Sequence, residues 1–132
     1  MKEKRIINRQ YGQWLSTFNW DLFSTITYKH IIKRRRNRQI MSSIVNSLNK
    51  LEIKHNIFWI MEYTSNGYQT HNHMLIEGEG VKEEIDRYLK EKNLVDDRFV
   101  KHISYNSSLG ANYYVTKYIS SDDIEYDFSL SK

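Results

Sequence analysis

The sequence predicts an α+β domain built on an antiparallel sheet, with the elements in the order β-α-β-β-α-β-α. Three observations carry that prediction. Residues 56–77, NIFWIMEYTSNGYQTHNHMLIE, hold two β-prone runs, 57–64 and 68–76, on either side of Ser65-Asn66-Gly67. Asn-Gly between such runs is the strongest short-range hairpin signal, because a type I′ turn needs φ > 0 at both central residues. Apolar residues recur at helical spacing over 33–51 and again over 81–93, both too long for strands. An alternating run, WDLFSTITY at 20–28, precedes the first of these helices.

Taken in order, residues 1–19 form an N-terminal arm or short helix, with helical spacing at 7–18. In the strand 20–28, Leu22, Ser24, Ile26 and Tyr28 face one way and Phe23, Thr25 and Thr27 the other. The threonine face has two readings: hydroxyls that bond phosphate or ligands, or good strand formers. The helix 33–51 owes its apolar stripe to Ile40, Met41, Ile44, Val45, Leu48 and Leu51. If Asn66-Gly67 is a two-residue turn, Ser65 pairs with Tyr68, Glu62 lies opposite His71 and Ile60 lies opposite His73. The other hairpin face carries Ile57, Trp59, Met61, Tyr63, Met74 and Ile76, an expected core. Gly78-Glu79-Gly80 breaks the strand. In the helix 81–93, Val81, Ile85, Tyr88 and Leu89 share a face, and Glu83–Arg87 and Asp86–Lys90 are expected surface pairs. A strand at 98–105 follows; its His102 reads as an ordinary surface or packed histidine. Asn106-Ser107-Ser108 supplies an N-cap for a helix at 109–120 whose Ala111, Val115 and Ile119 should face the core. Gly110, Tyr114, Lys117, Tyr118 and Ser121 cluster on an adjacent side. That cluster is either an aromatic patch or a presented pair of phenols with a lysine between them. The acidic tail, 122–132, has no assignable role.

Composition narrows the function classes. A chain of 132 residues, 39% hydrophobic and 14% aromatic, is a single globular domain. Absence of cysteine excludes a disulfide framework, a thiolate metal site and a cysteine nucleophile. No 18-residue apolar run or secretory h-region is present, so no membrane partner is expected and the cytoplasm is the expected compartment. No P-loop appears. The net charge of +4 conceals an asymmetry: residues 1–54 hold 12 Lys/Arg against 3 Asp/Glu, and the remainder 8 against 13. The densest cations are Lys33, Arg34, Arg35, Arg36 and Arg38, at a helix N-terminus where they oppose the helix dipole. Nucleic-acid phosphates would explain the run; a solvated charge run is the plainer reading.

The hairpin register puts Glu62, His71 and His73 on one face. Two imidazoles and a carboxylate make a three-ligand divalent-metal site with open positions; the plainer reading is a pair of surface histidines beside a solvated glutamate. Exposed aromatics such as Trp20, Tyr63 or Tyr68 would stack bases, or pack in the core.

Phe23-Ser24-Thr25-Ile26-Thr27, then Glu62 with His71-Asn72-His73, then Tyr114-Val115-Thr116-Lys117-Tyr118 resembles, in order and spacing, the motif series of HUH endonucleases, over roughly residues 20–121. The nearest likeness is to rolling-circle replication initiators (Rep proteins) of small phages, viruses and plasmids. That resemblance implies a central antiparallel sheet of about five strands with helices packed on it, related to the RNA-recognition-motif (ferredoxin-like) arrangement. It implies a single nicking domain spanning 1–132, acting on single-stranded or hairpin DNA at a replication origin. It implies Tyr114 as the nucleophile with Lys117 beside it, Tyr118 as a candidate second nucleophile, and Glu62, His71 and His73 as ligands of Mn2+ or Mg2+. A helicase would come from the host or a separate chain, and the compartment would be the host cytoplasm if the replicon is viral. A single-tyrosine transposase on the same scaffold and a non-catalytic RRM-like nucleic-acid binder are the alternatives. One position departs from the family: Asn72 stands where a hydrophobic residue is usual, and a buried amide there needs partners.

Overall fold

The computed structural model describes residues 10–63, 69–96, 100–106 and 125–131; of Tyr63 it describes the backbone alone. Among the described residues five strands form one sheet: β1 (Leu22–Thr27), β2 (Asn56–Tyr63), β3 (Thr70–Glu77), β4 (Val100–Ser104) and β5 (Tyr126–Leu130). Their order is β4-β1-β3-β2-β5, and every neighbouring pair is antiparallel. Among the described residues three helices pack on the sheet: α1 (10–15), α2 (Arg34–Lys50) and α3 (Val81–Glu91). Strands β1 to β4 with α2 and α3 make the ferredoxin-like β-α-β-β-α-β unit, and β5 extends it beyond β2. Among the described residues, no helix is long and apolar enough to cross a membrane.

Apolar side chains bury on both faces of the sheet. On one face, Ile40, Met41, Ile44 and Leu48 of α2 and Val81, Ile85 and Leu89 of α3 pack on Ile26, Ile57, Trp59, Met61, Met74 and Ile76. On the other, Leu15 and Trp20 pack on Phe58, Ile60 and Leu75, with Tyr11, Trp14, Phe18, Phe23 and Tyr126 partly buried around them. This explains the unbroken apolar run from Ile57 to Met61: alternate residues serve opposite cores. The helical period over 33–51 is realised almost to the residue, with Lys33 and Leu51 as its caps. Gly78 ends β3 at φ +132°, and a Cβ there would lie 2.4 Å from the Lys54 carbonyl oxygen, so only glycine fits.

Two expectations change. The acidic tail is structural: its residues 126–130 form β5, paired along β2. Arg38 fastens that strand, with Nη1 2.6 Å from Asp127 Oδ2, Nη2 2.6 Å from Glu125 Oε2 and its guanidinium 5.6 Å from the Trp59 ring centroid. The surface pairs on α3 are also redistributed. Arg87 bonds Glu84 and Glu91. Asp86 Oδ1 lies 2.8 Å from His102 Nε2, whose Nδ1 is 2.6 Å from Ser24 Oγ. His102 is thus a packed histidine that joins β4, β1 and α3. Spacing along one helix cannot anticipate such partners, because they arrive from other elements.

Candidate functional site

The register that brings the site together is the one counted back from Asn66-Gly67. Glu62 pairs with His71 and Ile60 with His73 across β2 and β3. On the opposite side of β3, β1 places Thr27 against His71 and Thr25 against His73. Directly opposed residues share a face, so Thr27, His71 and Glu62 form one row. Lys101 of β4, Thr25, His73, Ile60 and Tyr126 form the next.

The threonines brace the imidazoles. Thr27 Oγ1 is 2.8 Å from His71 Nδ1, and Thr25 Oγ1 is 3.3 Å from His73 Nδ1. With the Nδ1 side of each ring occupied, Nε2 is the nitrogen left for a further partner. For His73 that nitrogen faces Glu62 Oε1 at 3.4 Å. The two rings stand parallel, centroids 6.1 Å apart, and the Phe23 ring continues the stack at 6.2 Å from His73. Burial, then the neighbouring His73, hold the His71 imidazole below the usual histidine range against the pull of Glu62, which favours the neutral, ligating form. The second carboxylate oxygen, Glu62 Oε2, is buried and has no hydrogen-bond partner among the described residues.

The three side chains share a face, but parallel imidazoles do not converge. Among the described residues no group of three such side chains is gathered closely enough to hold an ion. The donor set nonetheless fits a divalent cation in its chemistry: two braced imidazoles and a carboxylate with an unused buried oxygen.

Lys33, Arg34, Arg35 and Arg36 are exposed at the start of α2, with no acidic residue in the first turn. Thr70 at the start of β3 exchanges hydrogen bonds of 3.0 Å with the backbone of Ile32. The run therefore sits at the end of the sheet where His71 lies, although α2 packs on the opposite face. Arg38 is committed to Glu125 and Asp127. Trp20 is not a base-stacking surface: it is 6% exposed and its indole N–H donates to the Leu15 carbonyl at 2.7 Å. The Tyr63 side chain and Tyr68 lie outside the described residues, as do Tyr114, Lys117 and Tyr118. These last three belong to the chain between β4, at one edge of the sheet, and β5, at the other.

Sequence reading missed Lys101, an exposed cation in register with His73, because nothing in the sequence fixes which strand neighbours β1. The bracing role of Thr25 and Thr27 was legible only as a threonine-rich face. Fold and site define a ferredoxin-like α+β protein whose sheet carries a braced pair of histidines beside a carboxylate. No known protein family, curated protein or solved structure matches the chain.

Proposed function

We propose that this chain is an HUH-type single-strand DNA endonuclease, a rolling-circle replication initiator that nicks and rejoins DNA at an origin through a 5′-phosphotyrosine. The observation that carries the reading is the braced constellation: Glu62, His71 and His73 on one face, with the threonines of Phe23-Ser24-Thr25-Ile26-Thr27 bonded to both imidazoles. Two of the three motifs in the series thereby act as one unit on adjacent strands.

Glu62, His71 and His73 would hold Mn2+ or Mg2+, which when bound would polarise the scissile phosphate and offset charge on its oxygens. Tyr114 is the nucleophile. Its phenol oxygen bonds to phosphorus, the P–O3′ bond breaks, and the phenolic proton ends on the departing 3′ oxygen. The phosphoester survives as a tyrosine link, so rejoining needs no further energy source. Free tyrosine has a pKa of about 10, so only about one in a thousand is phenolate at pH 7, and Lys117 supplies positive charge near the forming link. Tyr118 is the candidate for a second cut. Lys33 to Arg36, with Lys101 on the site face, contact backbone phosphates of single-stranded or extruded hairpin DNA. Strand separation falls to a helicase activity, in the cytoplasm of the cell that harbours the replicon.

A second reading, a non-catalytic nucleic-acid-binding sheet, draws on the parallel, unconverged imidazoles. One experiment separates the two: protein, Mn2+ and labelled single-stranded oligonucleotides from the same replicon. A covalent adduct on a denaturing gel, lost in Tyr114→Phe, supports the initiator. Salt-sensitive binding with no cleavage supports the binder, and cleavage without an adduct rejects the tyrosine mechanism.

A further inference from the structure

Behind the imidazole face, three polar side chains are buried together. Asn72 lies between His71 and His73, so strand alternation sends its side chain to the opposite face, under α2. Asn72 and Asn37 are completely buried and Tyr28 is nearly so. The two amides bond reciprocally: Asn37 Nδ2 donates to Asn72 Oδ1 at 3.0 Å, and Asn72 Nδ2 donates to Asn37 Oδ1 at 2.7 Å. The Tyr28 hydroxyl donates to Asn37 Oδ1 at 2.8 Å and accepts from Asn72 Nδ2 at 2.9 Å. Burial pushes the Tyr28 phenol above its usual range, so it remains a donor.

The surrounding core is apolar, with Ile26, Met41, Met61 and Met74 in the same cluster. Well-packed hydrophobic side chains can replace such a satisfied polar network with little or no loss of stability. What hydrogen bonds add is direction. Each member adjoins a residue of the site: Tyr28 follows Thr27, which bonds His71; Asn72 separates the two histidines; Asn37 follows Arg36. We propose that Tyr28, Asn37 and Asn72 are positioning residues, whose mutual hydrogen bonds set the histidine strand against its threonine braces and fix the start of α2, with its arginines, at a constant offset from the imidazoles. The proposal rests on the nicking reading for its consequence in catalysis, and on the hydrogen-bond geometry for its consequence in structure.

The test compares wild type with Tyr28→Phe/Asn37→Leu/Asn72→Leu, in which the network becomes apolar and no member is left unsatisfied. Tyr28→Phe alone, which deletes one hydroxyl, stands in if the triple variant does not fold. Two quantities are read: kcat and KM for nicking single-stranded DNA with Mn2+, and the imidazole 15N resonances of His71 and His73 in metal-free protein. The expected result is a thermal midpoint at or above wild type, a kcat lowered on the order of 10–100-fold, KM nearly unchanged because the arginines remain, and imidazole signals shifted or broadened. A wild-type kcat in the folded variant, or unmoved imidazole signals, overturns the proposal and leaves the network as packing. If wild type itself nicks no oligonucleotide, the nicking reading falls, and the imidazole spectra decide the positioning claim alone.

Discussion

Replacing Glu62 by leucine should stabilise the metal-free protein and abolish its response to metal. Glu62 Oε2 is buried without a partner among the described residues, and Oε1 has only the 3.4 Å contact with His73. An unsatisfied buried acceptor costs about 1–3 kcal/mol. The side chain is 24% exposed, which places the gain on its removal near the lower end, at about 1 kcal/mol. For a domain of this size that is about 3–5 °C in Tm. Mn2+ at a hundred times its Kd would stabilise wild type by about 2.7 kcal/mol, and a variant without the only carboxylate of the set should gain far less. The order of the two melting curves therefore inverts: the variant melts higher in EDTA, and wild type melts higher in Mn2+. Thermal denaturation at pH 7 with each addition measures both halves. A Glu62→Leu protein that melts below wild type in EDTA would mean the carboxylate supports the fold. Equal Mn2+ shifts in the two proteins would mean it binds no ion. Either result refutes the reasoning.

Further outcomes follow from other parts of the molecule. Arg36→Ala should leave urea stability within about 0.5 kcal/mol of wild type and flatten the salt dependence of single-stranded DNA binding by about 0.7 in log–log slope. Arg38→Ala should do the reverse, losing on the order of 1 kcal/mol from half-exposed ion pairs with the slope unchanged; fluorescence anisotropy across a salt series shows whether the two arginines differ in this way. Arg87 bonded to buried Glu84 holds its carboxyl below the usual range, against burial and with help from Ser47. A depressed folded-state pKa contributes stability above the unfolded value, about 4.3, that is lost as pH falls through the folded one. Wild type should thus exceed Glu84→Gln in Tm at pH 7, and the gap should close on acidification toward pH 3. A gap independent of pH would exclude that linkage.

Much of the fold was legible because its signals are local. Asn66-Gly67 between two β-prone runs fixes a register in which Glu62 meets His71, and the ladder between β2 and β3 has that register. Helical spacing over 33–51 and 81–93 delimits α2 and α3 to within two residues. The expectation that a buried Asn72 needs partners is met by Tyr28 and Asn37, but their identity depends on which helix crosses β3, and that is a tertiary fact. β5 went unread although Tyr126, Phe128 and Leu130 alternate with Asp127 and Ser129. The density of acids from Asp122 to Asp127 left the tail without an assignable role, and the pairing of Glu125 and Asp127 with Arg38, almost ninety residues earlier, has no sequence signature. The braces on the histidines were hidden for a related reason. Threonine favours strands in general, and only the pairing of β1 with β3 turns Thr25 and Thr27 into hydrogen-bond partners of His71 and His73. The tyrosine motif at Tyr114, Lys117 and Tyr118 lies outside the described residues, so the proposal of Tyr114 as nucleophile rests on the resemblance of the sequence motifs to those of HUH endonucleases.

The pairing of β5 with β2 also bears on self-association through the sheet margin. β2 is apolar from Ile57 to Met61, uncharged and free of glycine and proline over that run. Such a strand at a sheet margin offers its open ladder of amides and carbonyls to any other chain, a template for cross-β stacking. β5 occupies that ladder with a strand that carries Asp127 and is flanked by Glu125. A chain shortened to residue 124 would uncover the Ile57–Met61 ladder along one side, and loss to fibrils or insoluble aggregate would be its foreseeable fate, whatever became of its chemistry.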